Sequence, residues 1–225
     1  MKTLTLVALS TSAFATALTA QVATIDEGSF TITVNGTRAG REDFRIRSTP
    51  GSNGVELVAT ANVSYGTRRV LPQLQADSLG VPSRYVVEVK EGPGADERVV
   101  GMVGSGRVSA RVKTSRGESA NEFSVSQGAV VIDDDVFHQY YFLVRRPPGS
   151  VSVIVPRRNA QVVMRVAEAG SEKISIGGTP IDARHFTITD PGGANREVWA
   201  DASGRLLKVA IPSRGIEALR DDPPR

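Results

Sequence analysis

"VELVATANVSY", residues Val55–Tyr65, sets Val55, Leu57, Ala59, Ala61, Val63 and Tyr65 at alternate positions. Side chains of a strand repeat every two residues, so this segment carries one apolar face, as a half-buried β-strand does. The same alternation runs through "SFTITV" (Ser29–Val34), "SRYVVEVK" (Ser83–Lys90), "RVSARVK" (Arg107–Lys113), "SVSVIV" (Ser150–Val155), "QVVMRVA" (Gln161–Ala167) and "RLLKVAI" (Arg205–Ile211). Between the runs stand turn signals: Asn35-Gly36, Asn53-Gly54, Gly92-Pro93-Gly94, Ser115-Arg116-Gly117, Ala169-Gly170, Gly177-Gly178, Pro191-Gly192-Gly193 and Ser203-Gly204. The expected fold is all-β, with about a dozen strands, more than a flat open sheet carries without curling or splitting. A large curled antiparallel sheet follows, either an open barrel-like form or a two-halved sandwich, with one short helix.

An internal echo bears on the architecture. "ITVNGTRAGREDFRI" (Ile32–Ile46) aligns without gaps to "ISIGGTPIDARHFTI" (Ile174–Ile188), with identical residues at Ile32/Ile174, Gly36/Gly178, Thr37/Thr179, Phe44/Phe186 and Ile46/Ile188. This suggests two related halves of one sheet. Both copies share a parity conflict. A two-residue turn pairs Val34 with Thr37 and Ile32 with Ala39, yet Ala39 to Phe44, like Ile181 to Phe186, is an odd step. A β-bulge, for which Gly40 is suited, would return the apolar side chains to one face.

The ends and composition bound the rest. "MKTLTLVALSTSAFATALTAQ" has Lys2, an apolar run and small residues at Ala15, Ala17 and Ala20. That is the layout of a secretory leader, 1–20, cleaved after Ala17 or Ala20, leaving a single β-rich domain over 21–225. Export to the periplasm or medium is expected, without a transmembrane segment after processing. The tail "RDDPPR" is expected to fray. The chain has no cysteine, so thiolate chemistry and disulfides are excluded, and a core of this size needs no staples. Basic residues (27) nearly balance acidic ones (24), and the arginines occur as doublets such as Arg68-Arg69, Arg145-Arg146 and Arg157-Arg158. With aromatics at 5%, the clustered charge and stacking side chains of a nucleic-acid binder are missing, and the doublets read as solvated strand faces.

One segment breaks the strand pattern. In "VVIDDDVFHQYYFLVRR" (Val130–Arg146), Val136, Phe137, Tyr140, Tyr141 and Val144 recur at helical spacing. Asp133 is placed as N-cap, Asp134 and Asp135 in the first turn, and Arg145 and Arg146 in the last. The competing reading makes Asp133, Asp134, Asp135 and His138 a metal or acid–base site, since carboxylate and imidazole donors suit several divalent metals. Against it stand the positive helix start and the ligand count a closed zinc site needs. The second histidine, His185, belongs to a distant strand, and Asp182 three residues earlier faces the other side. Trp199 reads as a hairpin core residue. "VGSGR" lacks the spacing of a nucleophile elbow, and "GMVGSG" is neither a dinucleotide fingerprint nor a phosphate loop. No cofactor is implied.

"FTITVNGTRAGREDF", "DDDVFHQYY" and "EVWADASGRLLKV" resemble a group of uncharacterised exported bacterial proteins of unknown function, built from a long curled antiparallel sheet. The architecture is also distantly similar to the open-barrel periplasmic carriers of lipoproteins. The resemblance assigns no catalytic residue, and the expectation rests on the sheet itself. A concave face lined by Val, Ile, Phe and Tyr, lidded by the Asp135–Arg145 helix, would accept an apolar or lipid-like ligand in a non-enzymatic extracytoplasmic binding protein. The alternatives are a metal-dependent enzyme centred on Asp133, Asp135 and His138, and a structural or assembly component of the envelope. An outer-membrane barrel is disfavoured by short apolar strands and missing aromatic girdles. Asp133, Asp134, Asp135, His138, Tyr141, His185 and Trp199 are the candidate surface.

Overall fold

A computed structural model describes residues 22–51, 54–92, 96–104 and 106–225. Residues 1–21, which include the leader-like segment, and residues 52–53, 93–95 and 105 lie outside the described residues. The first strands are β1 (Ala23–Val34), β2 (Thr37–Gly51), β3 (Gly54–Tyr65), β4 (Arg68–Asp77), β5 (Pro82–Glu91), β6 (Asp96–Gly104), β7 (Arg107–Thr114) and β8 (Gly117–Ser124). After a connecting segment come β9 (Val130–Val131), a single 3-10 turn at His138–Tyr140, and α1 (Tyr141–Val144). The chain then forms β10 (Gly149–Val155), β11 (Ala160–Ile176), β12 (Thr179–Thr189), β13 (Asn195–Ala200), β14 (Leu206–Ile211) and β15 (Ile216–Arg220).

All fifteen strands join one sheet, in the order β8-β7-β6-β5-β4-β3-β2-β1-β15-β14-β13-β12-β11-β10-β9. The first half walks outward from β1 to β8; the second walks back from the far edge until β15 pairs with β1. Among the described residues only β9 and β10 run parallel. Twist accumulated over so many strands curls the sheet. It brings β9 beside β5, and the 3-10 turn at Pro156–Arg158 beside β6. Strands β6 to β8 run on past this meeting, so the sheet is a spiral and not a closed barrel. The free edge, β8, is short and polar, with Glu118 and Glu122 exposed on it, which discourages pairing with other strands.

The interior is filled by the chain itself. From Ala129 to Val144 every residue is buried except Asp134 and Asp135, which are half-buried. Phe137 and Tyr141 rank with Phe30, Tyr85 and Phe186 among the largest side chains excluded from water. This segment is a plug, not a lid, and it occupies the concave surface that the sequence suggested was free for a ligand. The one short helix is present, but shorter than the 135–145 span expected of it. Asp135 has φ 59°, a left-handed conformation through which no α-helix passes, and regular helix is confined to Tyr141–Val144. The apolar spacing of 136–144 arises because these residues are surrounded on all sides.

The two echoed hairpins resolve their parity conflict differently. In the first, Val34 pairs with Thr37 as expected, but Ile32 pairs with Gly40, so the extra residue is Ala39. Glu42, Phe44 and Ile46 thereby join Phe30 and Ile32 on the inner face. Gly40 is required there because a Cβ would fall on the Ser64 carbonyl oxygen. In the second, the register shift lies on β11 between Glu168 and Gly170, so Ala169-Gly170 is a bulge inside a strand and not a turn. Phe186 and Ile188 face the interior, while Ile176 and Ala183 face outward and pack with Leu207, Trp199 and Leu219 as a second, smaller core.

The C-terminal tail is docked, not frayed. Asp221 donates its amide to Ser29 O at 2.9 Å, and its carboxylate accepts from Ser29 Oγ, Thr31 Oγ1 and Arg41 Nη1 at 2.8, 2.7 and 2.6 Å. The seam between the halves carries an ion pair with both side chains 2% exposed: Arg220 Nη2 and Nη1 donate to the Asp26 carboxylate at 2.9 and 3.1 Å. Gly28 leaves room for that guanidinium, since a Cβ would lie 2.8 Å from Arg220 Nη2.

Candidate functional site

The three aspartates do not converge on a common point; each takes its own arginine. Asp133 is buried and accepts from Tyr85 Oη at 2.8 Å and Arg157 Nε at 2.9 Å, while its other oxygen takes the Asp134 amide. Asp134 holds Arg158 through two bonds of 2.6 and 2.7 Å, and its carbonyl accepts from Arg157 Nη2. Asp135 pairs with Arg68 at 3.2 Å and Arg214 at 2.7 Å. The plug is thus clamped to the start of β4, the β10–β11 turn and the β14–β15 turn. Burial raises the Asp133 carboxyl above its ordinary range, with Arg157 and the Tyr85 hydroxyl opposing, and burial pushes the Tyr85 hydroxyl far above its own. Asp133 is therefore not an N-cap, and Arg157-Arg158 are not simply solvated.

His138 serves a different anchor. Its ring is fully buried and stacks on Phe44 with centroids 5.9 Å apart. Glu42 on β2, also fully buried, accepts from the Phe137 and His138 amides at 2.7 and 2.9 Å and contacts His138 Nδ1 at 2.5 Å. His138 Nε2 is buried and has no partner in the protein. With the aspartates committed to arginines and His138 to Glu42, the segment offers no free donor set. Among the described residues no group of three or more His, Cys, Asp or Glu side chains could hold a metal. The metal-enzyme alternative therefore finds no geometric support in these residues.

His185 and Trp199 are brought together, but outside. Their rings stack 4.4 Å apart at 4° on the convex face. Lys208 Nζ lies 4.9 Å from the Trp199 ring centre, Trp199 Nε1 donates to Glu172 at 2.6 Å, and His185 Nε2 meets Glu197 at 2.8 Å. Trp199 is thus a half-buried member of the second core. Tyr141 stays inside, edge-on to Phe142 and beneath the Arg145 guanidinium, 4.9 Å from its ring centre.

A concavity with a mostly apolar lining lies where the plug leaves the interior. A cleft of about 430 Å³ is walled by Leu57, Leu79, Val81, Phe142 and Val151, with Arg145 and Arg146 on its rim. Gly80 forms part of the wall, and a Cβ there would lie 2.8 Å from Phe142 Cδ1. The lining is mostly apolar with few polar groups, as ligand sites are. The sequence reading placed Arg145 and Arg146 at a helix end and did not single them out. The available signal was an apolar run ending in two arginines with no acidic residue nearby in sequence.

Fold and cleft define a β-barrel-like domain with an internal plug. The chain belongs to the family described as domain of unknown function DUF6134, whose model matches residues 105–219, slightly more than half of it. That match spans the plug and the returning half of the sheet, but not Glu42, Arg68 or Tyr85, to which the plug is tied. No curated protein matches the sequence. Among solved structures, the chain is similar to the beta-barrel-like protein of domain of unknown function DUF1849 from Brucella abortus. The TM-score is 0.53 at 9% identity, over 90% of this chain and 98% of that one. This likeness concerns the fold. No helix among the described residues is long and apolar enough to cross a membrane.

Proposed function

We propose that the domain is a non-enzymatic, extracytoplasmic binding protein that takes an apolar or lipid-like ligand in the cleft between the β4–β5 turn and the end of the plug. The observation that carries this reading is the set of apolar walls at an opening of the core: Leu57, Leu79, Val81, Phe142 and Val151 around a space larger than packing gaps. Leu79 at its lip is 72% exposed, the most exposed large apolar side chain among the described residues. Action outside the cytoplasm is supported by the leader-like residues 1–20. The fold likeness to another domain of unknown function adds no ligand.

Ser150 is exposed and lines the cleft, so Ser150→Trp fills it without entering the core. Native mass spectrometry of protein purified from its own compartment is expected to show an acyl-chain adduct, or delipidated protein is expected to bind a fluorescent acyl probe. Ser150→Trp should abolish either. Delipidated protein with no affinity for such a probe, or affinity untouched by Ser150→Trp, would sink the reading.

A further inference from the structure

The rim of the cleft differs in its charge balance from the aspartate end of the plug. Arg68, Arg157, Arg158 and Arg214 each hold an aspartate. Arg146 holds none: Nη1 donates to Gly128 O and Nη2 to Leu79 O at 2.9 Å, both neutral acceptors. Its Nε is buried and has no acceptor in the protein. Burial lowers its pKa from the ordinary arginine value, opposed only by the field of Asp77. Asp77 is itself engaged, its Oδ1 accepting the Leu79 and Val81 amides at 2.9 Å each. Arg145, exposed beside it, lies over Tyr141 and makes no ion pair among the described residues. Two guanidinium groups thus stand at the mouth of an apolar cleft with no carboxylate bound to either. Arginine's planar fork matches a carboxylate better than any neutral headgroup.

Resting on the reading of the cleft as an apolar site, we infer that its ligand is an acyl-chain amphiphile with a carboxylate headgroup. The chain lies against Leu57, Val81, Phe142 and Val151, and the headgroup meets Arg145 and Arg146. A water-sized group takes about 30 Å³, so the cleft of about 430 Å³ holds roughly a dozen groups of that size, enough for a medium-length chain.

Titration calorimetry with dodecanoate, dodecanol and dodecyltrimethylammonium tests this. Dodecanoate is expected to bind at least about tenfold more tightly than dodecanol, and the cation more weakly than either. In Arg145→Gln and Arg146→Gln the preference for dodecanoate should fall towards unity while dodecanol affinity holds. Arg146 also ties two loop carbonyls, so Arg146→Lys and the exposed Arg145→Gln serve as variants that keep the fold, checked by their urea midpoints. Equal affinity for dodecanoate and dodecanol overturns the headgroup inference and leaves the apolar reading standing. Binding of neither overturns both. A dodecanoate preference indifferent to Arg145→Gln, Arg146→Lys and Arg146→Gln overturns the assignment to these arginines.

Discussion

Replacing Glu42 by glutamine should unpin the plug. The native carboxylate accepts the Phe137 amide on one oxygen, and the His138 amide and Nδ1 on the other, at 2.7, 2.9 and 2.5 Å. Glutamine is nearly isosteric but has one acceptor and one donor. Whichever way its amide points, an N–H faces an N–H, and at least one buried donor is orphaned. Such a donor costs about 1–3 kcal/mol, and the bonds that survive lose charge assistance worth about 1 kcal/mol each. The sum, about 3–5 kcal/mol, matches the usual cost of breaking a buried pair. With a urea m-value of about 2–3 kcal/mol/M for a domain this large, the midpoint should fall by about 1.5 M. Asp182→Asn is the control, because the Lys173–Asp182 pair is 72% and 83% exposed and should shift stability by less than about 0.5 kcal/mol. His138→Ala removes one contact of the three, so combining it with Glu42→Gln should cost less than the sum of the single variants. A Glu42→Gln midpoint within about 0.5 M of wild type at unchanged m would refute the pinning argument.

Arg157→Met strips buried Asp133 of its cation and should cost about 3–5 kcal/mol, part of which Asp133→Asn in the same chain should recover; a cycle with no coupling contradicts the clamp. Gly40→Ala drives a methyl onto the Ser64 carbonyl and should destabilise by at least about 1–3 kcal/mol; a neutral effect in thermal melts would mean that β2 and β3 separate freely. Asp221→Asn tests linkage. Burial alone would raise the Asp221 carboxyl, but Thr31, Ser29 and Arg41 hold it below the ordinary 3.8. Its contribution is therefore present above that value and lost as pH falls through the depressed native pKa. The deficit of Asp221→Asn should be largest at neutral pH and shrink below pH 3.8; a deficit that grows on acidification would reverse the sign.

The strands were legible because period two needs no tertiary information. Leu57, Ala59 and Val63 are buried where the alternation put them. The extent of the helix was misread because a segment surrounded by core and an amphipathic helix both place apolar residues at close spacing, and periodicity does not separate them. The aspartate triplet misled because its partners lie 24 to 79 residues away in sequence, beyond the reach of local capping rules. Two signals went unused. Glu42 shares parity with Phe44 and Ile46, and Arg220 with Ile216 and Ala218. A charge at a core-face position of a strand requires a buried partner, and both have one.

These anchors explain how an open spiral keeps one structure. A closed barrel fixes its register by closure, whereas a spiral can slide along itself unless something inside refuses. Apolar packing of the plug would tolerate such sliding, because Val, Leu and Phe accept one another's pockets at modest cost. Directional pairs do not. Glu42–His138 ties the plug to the first half of the sheet, Asp133 joins Tyr85 of the first half to Arg157 of the second, and Asp135 bridges Arg68 and Arg214 across the two. The plug thus closes electrostatically what the sheet leaves open. Unlike the aspartates, Arg145 and Arg146 bind no opposite charge among the described residues, so the electrostatic closure ends at the rim of the cleft.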